Sequence, residues 1–166
     1  MVIADKIGNP ELEERQIETW YMDKIGLEFA NCVPTVGEIP VAENEILIDT
    51  KTLDALGLPH EIGTEVSLKI QRKGNEYQES FILSGYYESD PLLNIGRIFV
   101  SEKYKQAHSS ELINTYTADG SLAGTVSNYV MFKNAFDLSG KLDSLITEHG
   151  YQWSETSQNP KATEYY

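Results

Sequence analysis

The strongest constraint on this chain is a hairpin. Val66, Leu68 and Ile70 alternate with Ser67, Lys69 and Gln71, the period-2 pattern of a strand with one buried face. Lys73-Gly74-Asn75 follows as a turn signal, and the run from Tyr77 to Tyr87 supplies the partner strand. Gly85, inside that second strand, marks a bulge or a close backbone approach. Upstream, Glu45-Ile46-Leu47-Ile48 reads as a short apolar strand. Asp49 or Thr50 can cap a following helix carrying Leu53 and Leu56, which Gly57 ends and Pro59 keeps from resuming. Downstream, Ile98-Phe99-Val100 forms another strand, and Ser101 can cap a short helix through Ala107.

The flanks are read from weaker patterns. Asn9 and Pro10 can open a helix with Glu11, Glu13 and Glu14 at its positive end and Leu12, Ile17 and Tyr21 on its apolar side. Alternatively, part of the stretch from Ile17 to Ala30 is strand, and Gly26-Leu27-Glu28-Phe29 alternates as a short one. Near the C-terminus, Val126, Asn128, Val130 and Phe132 face one way along a strand. Leu138, Leu142, Leu145 and Ile146 then follow helical spacing, capped near Asp137 or Ser139 and closed by Gly150. Tyr151-Gln152-Trp153 starts a second strand, completing a βαβ unit, and Asp119-Gly120 is a turn between strands. The expected fold is α+β with mixed sheets. It is one domain of 166 residues: an uncertain segment 1–36, a β-rich lobe 37–123 with the long hairpin, a smaller βαβ lobe 124–155 and a polar tail 156–166.

Charge excludes several functions. The net charge is −13, and the first 50 residues hold 11 acids against 3 bases. No segment has the basic footprint that displaces counterions from phosphate, so nucleic acid is not an expected partner. An anionic lipid surface would be repelled as well, so no direct membrane binding is expected. The longest uncharged stretch, Gly120 to Phe132, is short and rich in Ser, Thr and Asn, unlike a transmembrane helix. The opening residues have no apolar core followed by a cleavage site, and no signal peptide is expected.

Groups that could carry chemistry are few. Cys32, the single cysteine, sits in FANCVPTV, an apolar context that suits a buried thiol. His60, His108 and His149 form no metal-ligand spacing, and His149 suits the last turn of a helix. There is no phosphate loop, no nucleophile elbow and no EF-hand loop in the sequence. Glu43 with Glu45, and Glu11 with Glu14, can share a face, but spacing alone does not make a catalytic carboxylate pair. The adjacent pairs Trp20-Tyr21, Tyr86-Tyr87 and Tyr165-Tyr166 each place one ring away from a core if they lie in strands, which suits either edge shielding or a binding surface. No catalytic, metal or cofactor-binding residue is assigned, and no cofactor is expected.

The run GEIPVAENEILIDTKTLDALGLPHEIGTEVSLKI, residues 37–70, resembles the extracytoplasmic core domain of FtsX-like and MacB-like ABC transporter permeases. The matching elements are Gly37, Pro40, Asn44-Glu45-Ile46, Leu56-Gly57, Ile62-Gly63, and Val66 with Leu68. Phe81-Ile82-Leu83-Ser84-Gly85-Tyr86 and Ile98-Phe99-Val100-Ser101 are similar to the strands that follow, and Tyr129-Val130-Met131-Phe132-Lys133 with its Leu-patterned helix is similar to the family's small porter-like lobe. The resemblance covers residues 37 to about 153. Such permeases have four transmembrane helices and this sequence has none, so the resemblance implies a soluble portion of a longer membrane protein, at the extracellular face of the cell membrane. It implies a non-enzymatic domain that binds a peptide, lipoprotein or other substrate. The implied partners are a separate ATP-binding subunit, which hydrolyses ATP, and a second permease copy. The residues alone leave two other readings open: a free-standing acidic module for a peptide or other cationic ligand, and a small hydrolase using an acid pair.

Overall fold

A computed structural model describes residues 2–3, 6–72, 75–90, 95–112, 115–116, 122–123, 130, 132–133 and 136–152. The elements in chain order are β1 (Val2–Ile3), β2 (Lys6–Ile7), β3 (Gln16–Trp20), α1 (Lys24–Phe29), β4 (Val36–Gly37), β5 (Glu45–Asp49), α2 (Thr50–Ala55), β6 (Glu65–Arg72), β7 (Asn75–Tyr87), β8 (Ile95–Val100), α3 (Glu102–Ala107), α4 (Ser109–Leu112), β9 (Thr115–Tyr116), β10 (Leu122–Ala123) and α5 (Leu138–His149). The fold is α+β with a mixed sheet, and the chain divides into two compact units, residues 1–127 and 128–166.

In the first unit an eight-stranded sheet runs β1-β3-β8-β5-β7-β6-β2, with β4 paired to β7. The β6–β7 hairpin is antiparallel from Glu65↔Ile82 to Arg72↔Asn75. Two pairings are parallel, β3 with β8 and β5 with β7. The two end strands, β1 and β2, are neighbours in sequence, so one N-terminal strap borders both ends of the sheet. Lys6 and Ile7 pair with Gln71 and Ile70, while Val2 and Ile3 pair with Trp20 and Thr19. Asn9 extends the strap by imitating a peptide group: its Oδ1 accepts from Lys69 N at 2.8 Å and its Nδ2 donates to Ser67 O at 3.1 Å.

That use of Asn9 overturns the helix expected from Asn9-Pro10. The Asn9 side chain makes no cap bond, and only one 3₁₀ turn forms, over Pro10–Leu12. The chain then enters the sheet as β3, so the strand alternative holds for Gln16–Trp20. Gly26–Phe29, expected as a strand, is helix instead, with the Asp23 carboxylate accepting from Gly26 N at 2.8 Å. Ile25, Leu27 and Phe29 alternate as a strand would, yet Leu27 is fully buried while Ile25 and Phe29 are 61% and 47% exposed. Asn9→Ala removes a donor and an acceptor from the edge of β6, and the expected cost is about 1 kcal/mol. Urea denaturation measures it, and faster hydrogen exchange at the Lys69 amide should accompany it; unchanged exchange there would contradict the strap.

The sheet carries two apolar layers. Ile46, Ile48, Val66, Leu68, Ile70, Phe81, Leu83, Ile98 and Val100 pack with Leu53 of α2 and Tyr104 of α3. Leu47, Tyr87 and Phe99 pack on the other side with Leu27 of α1 and Cys32. The β5–β7 register steps from Ile46↔Leu83 to Leu47↔Gly85, which leaves Ser84 as the extra residue of a bulge. Phe81, Leu83 and Tyr87 share one parity, so in a regular strand they would share one face. The bulge moves Tyr87 into the second layer and Tyr86 against the first. Each ring of that pair therefore meets a different core layer.

Local signals place the helices. Asp49 caps α2 through Thr52 N, and Gly57 closes it at φ 65°. Ser101 caps α3 through Tyr104 N. Strands β9 and β10 pair antiparallel around Asp119-Gly120, which itself lies outside the described residues.

In the second unit α5 is capped by Asp137, whose Oδ1 accepts from Gly140 N, and ends at Gly150 with φ 72°. Ile146 is its buried residue. The strand expected from Val126 and the strand from Tyr151 lie mostly outside the described residues. Val130, Phe132, Tyr151 and Gln152, which are described, are in no strand.

Candidate functional site

Three places gather polar side chains, and two of them serve the scaffold. The first centres on Asp49, at the end of β5. Its carboxylate accepts from Arg15 Nη2 at 2.9 Å, Thr52 N at 3.1 Å, Thr52 Oγ1 at 2.5 Å and Ser89 Oγ at 2.5 Å. Arg15 Nη2 also donates to Ile95 O at 3.3 Å. One buried carboxylate therefore links the N-terminal segment, α2 and the exit of β7.

The second lies beside α3 and α4. Arg72, 5% exposed, meets Glu111 Oε2 at 2.8 Å and the Tyr104 hydroxyl at 2.9 Å, and that hydroxyl donates to Glu79. The Arg72 hydrogen bond holds the Glu111 carboxyl below its ordinary value. His108 stacks on Tyr104 with ring centroids 4.4 Å apart and lies 3.7 Å from Glu43 and 3.8 Å from Glu111. The other histidines are elsewhere: His60 bonds Asp54 at 2.9 Å and leans on Tyr86, and His149 leans on Tyr151. Among the described residues no three His, Cys, Asp or Glu side chains converge as a metal site would require.

The remaining candidates also separate. Glu45 turns back to accept from Val41 N and Ala42 N, both at 2.8 Å, and these bonds, that from Ala42 foremost, lower its pKa. Glu43 instead faces His108. Glu11 lies in the 3₁₀ turn and Glu14 just beyond it, both exposed. Cys32 is 4% exposed, and burial raises its thiol pKa against the lowering effect of Arg97 and Tyr87. That is the setting of an inert thiol. Burial likewise raises the Tyr87 phenol, which donates to Arg97 O at 3.0 Å. Trp20 Nε1 donates to Glu18 at 2.9 Å with Arg97 over its ring. Tyr165 and Tyr166 lie outside the described residues.

The third place is a cleft of about 200 Å³ between the end of β3 with α1 and the junction of β8 with α3. Leu27, Pro40 and Phe99, all buried, form its floor, with Met22 and Ile39 beside them. Tyr21, Asp23 and Glu102 stand at its mouth, with Lys24 exposed on the rim. Asp23 spends one oxygen on capping α1, and Glu102 Oε1 accepts from Gln106 Nε2 at 3.2 Å. Burial raises the Tyr21 phenol pKa, and the Glu102 and Asp23 carboxylates raise it further. The lining combines an apolar floor with an aromatic ring, two carboxylates and an ammonium group. Sequence reading singled out Tyr21 through the Trp20-Tyr21 pair and missed Asp23, whose signal was its position three residues before Gly26.

A larger depression of about 380 Å³ is walled in part by Asn9 and Pro10 of the strap. Compared with known proteins, the chain matches no family model and no curated sequence.

Proposed function

We infer that this chain is the extracytoplasmic domain of an FtsX-like or MacB-like ABC transporter permease. It is a non-catalytic element that binds a substrate or partner protein and couples that binding to ATP-driven motion of membrane helices. The observation that carries the reading is how its scattered motif segments meet. Gly37 pairs with Gly85 in register. Gly63 N donates to Leu83 O at 2.9 Å, and Ile82 N donates to Asn44 O at 2.7 Å. Glu45 closes the turn just after Pro40. Residues far apart in sequence thus serve one junction around β7, which suits a motif set that specifies a scaffold rather than a reaction. Among the described residues no helix is long and apolar enough to cross a membrane. ATP hydrolysis belongs, in this reading, to a separate subunit.

The test uses the native reading frame. Apolar runs of about 20 residues are expected on either side of this segment. With Glu61→Cys introduced at an exposed position into the full-length protein, an impermeant maleimide applied to intact cells should label this domain, because Cys32 is buried. Labelling only after lysis, or a frame that holds this chain and no apolar runs, overturns the permease reading and favours a free-standing binding module.

A further inference from the structure

Strand β6 is covered along only part of its outer edge. Leu83 N donates to Thr64 O at 2.9 Å, and in that register the even-numbered residues of β6 exchange backbone bonds with β7. The backbone groups of Glu65, Ser67, Lys69 and Gln71 therefore point outward. Lys6 and Ile7 pair with Gln71 and Ile70, and Gly8 N donates to Lys69 O at 2.7 Å. There the strap leaves the edge. Asn9 supplies one more peptide-like group from its side chain. Pro10, which has no N–H, then starts the 3₁₀ turn that leads the chain on to β3. Ser67 N and both backbone groups of Glu65 are left without a partner among the described residues.

The depression of about 380 Å³ lies against this bare stretch, for Glu65 and Ser67 line it together with Asn9, Pro10, Leu56 and Leu58. Its volume is in the range of ligand sites. A row of backbone donors and acceptors at strand spacing is complementary to another extended backbone, and the Asn9 amide shows that this edge takes a peptide group.

We propose that this gap binds an extended segment of a partner protein, added antiparallel to β6 at residues 65–67 as a continuation of β2. The inference stands apart from the permease reading, because it concerns the edge of this chain's own sheet. Register sets the side chains that such a segment carries. Ile7, opposite Ile70, packs on the first apolar layer. A peptide residue opposite Val66 faces the same layer, where Leu56 and Leu58 also pack, so that residue is apolar. The next residue lies opposite Glu65. Glu11, also exposed, lines the depression with it against a single lysine, Lys69, so a basic side chain fits there. A bare edge this short suits a peptide and not the open-ended stacking of sheets.

The experiment titrates the 166-residue chain with acetyl-Thr-Val-Lys-Gly-amide at low salt and follows backbone amide shifts and hydrogen exchange. Shifts are expected at Glu65, Val66, Ser67 and Leu58, and the Ser67 amide, fast to exchange in the free chain, should slow. Methylating the backbone nitrogen of the peptide's lysine keeps every side chain and charge but removes the donor to Glu65 O, and should weaken binding at least about tenfold. Glutamate in place of that lysine should weaken it about threefold. Ser67→Pro removes the outward N–H where a strand tolerates proline, and should likewise weaken binding at least about tenfold; if it fails to fold, the methylated peptide makes the same distinction on the unmodified chain. Equal binding of the methylated or the glutamate peptide, or shifts spread over the acidic surface or absent at millimolar peptide, would each overturn the proposal. So would a Ser67 amide already protected in the free chain: protection independent of protein concentration would assign the gap to a segment of this chain, and protection that rises with concentration to a second copy.

Discussion

Asp49→Ala is expected to destabilise the first unit by about 3–5 kcal/mol, the range seen when one partner of a buried ion pair is removed. The Asp49 and Arg15 side chains are 2% and 11% exposed and lie 2.9 Å apart. Without the carboxylate, Arg15 keeps its positive charge and one bond to the Ile95 carbonyl at 3.3 Å. Its Nε has no partner among the described residues. The same substitution uncaps α2 and strips Ser89 Oγ of its acceptor. Loss of the cap alone is worth about 1 kcal/mol, so most of the effect comes from the stranded charge. Asp49→Asn separates the two terms, because a carboxamide oxygen can still accept from Thr52 N while the charge is gone. Arg15→Met added to Asp49→Asn should recover part of the loss, since no unpaired charge then remains. The measurement is the urea midpoint at constant denaturant slope. A loss below about 1 kcal/mol for Asp49→Ala would show that Arg15 finds another partner and that this carboxylate is not the hub.

What was legible in the sequence was local. The alternation of Val66, Leu68 and Ile70, the cap positions Asp49 and Ser101, and the stop at Gly57 each depend on residues a few positions apart, and each appears in the structure where the spacing places it. Gly85 was legible as an irregularity, although its partner Gly37 was not, because 48 positions separate them in the chain. The N-terminal segment misled for two physical reasons. Asn9 is a good cap, but its amide is bound to the edge of β6 by tertiary pairing. In α1 the apolar residues Ile25 and Phe29 lie on the solvent side, so the pattern there follows the exposed surface and not the core. The cleft was illegible for the same reason as the parallel pairs. Its walls come from residues 21–27, 39–40 and 99–102, and no short window contains them.

The glycines near the β4–β7 crossing give the second large effect, and three of the chain's glycines separate its causes. A Cβ on Gly85 would lie 2.6 Å from Glu38 O, with Glu38 N and Val36 O within 3.2 Å. These are backbone atoms, so no side-chain rotation relieves the overlap. A Cβ on Gly37 would lie 2.3 Å from Ser84 O, and Gly37 also has a φ of 79°. Gly57 shares the left-handed backbone, at φ 65°, but nothing lies within 4 Å of its added Cβ. Gly57→Ala therefore measures strain alone, about 1–2 kcal/mol. Gly85→Ala measures crowding alone, about 1–3 kcal/mol. Gly37→Ala carries both and should cost about 2–5 kcal/mol, the most of the three. Strand propensity argues the opposite way at Gly85, where any β-former should gain up to about 1 kcal/mol over glycine. Gly85→Val thus has a sign that depends on which term is larger, and crowding against fixed backbone exceeds propensity. Urea midpoints rank the variants, and hydrogen exchange at Glu38, whose amide donates to Ser84 O at 2.8 Å, reports whether β4 has lifted away. If Gly37→Ala costs no more than Gly57→Ala, or if Gly85→Val stabilises, β4 does not cross β7 at this distance. The two motif glycines would then need another explanation than the close approach of two backbones.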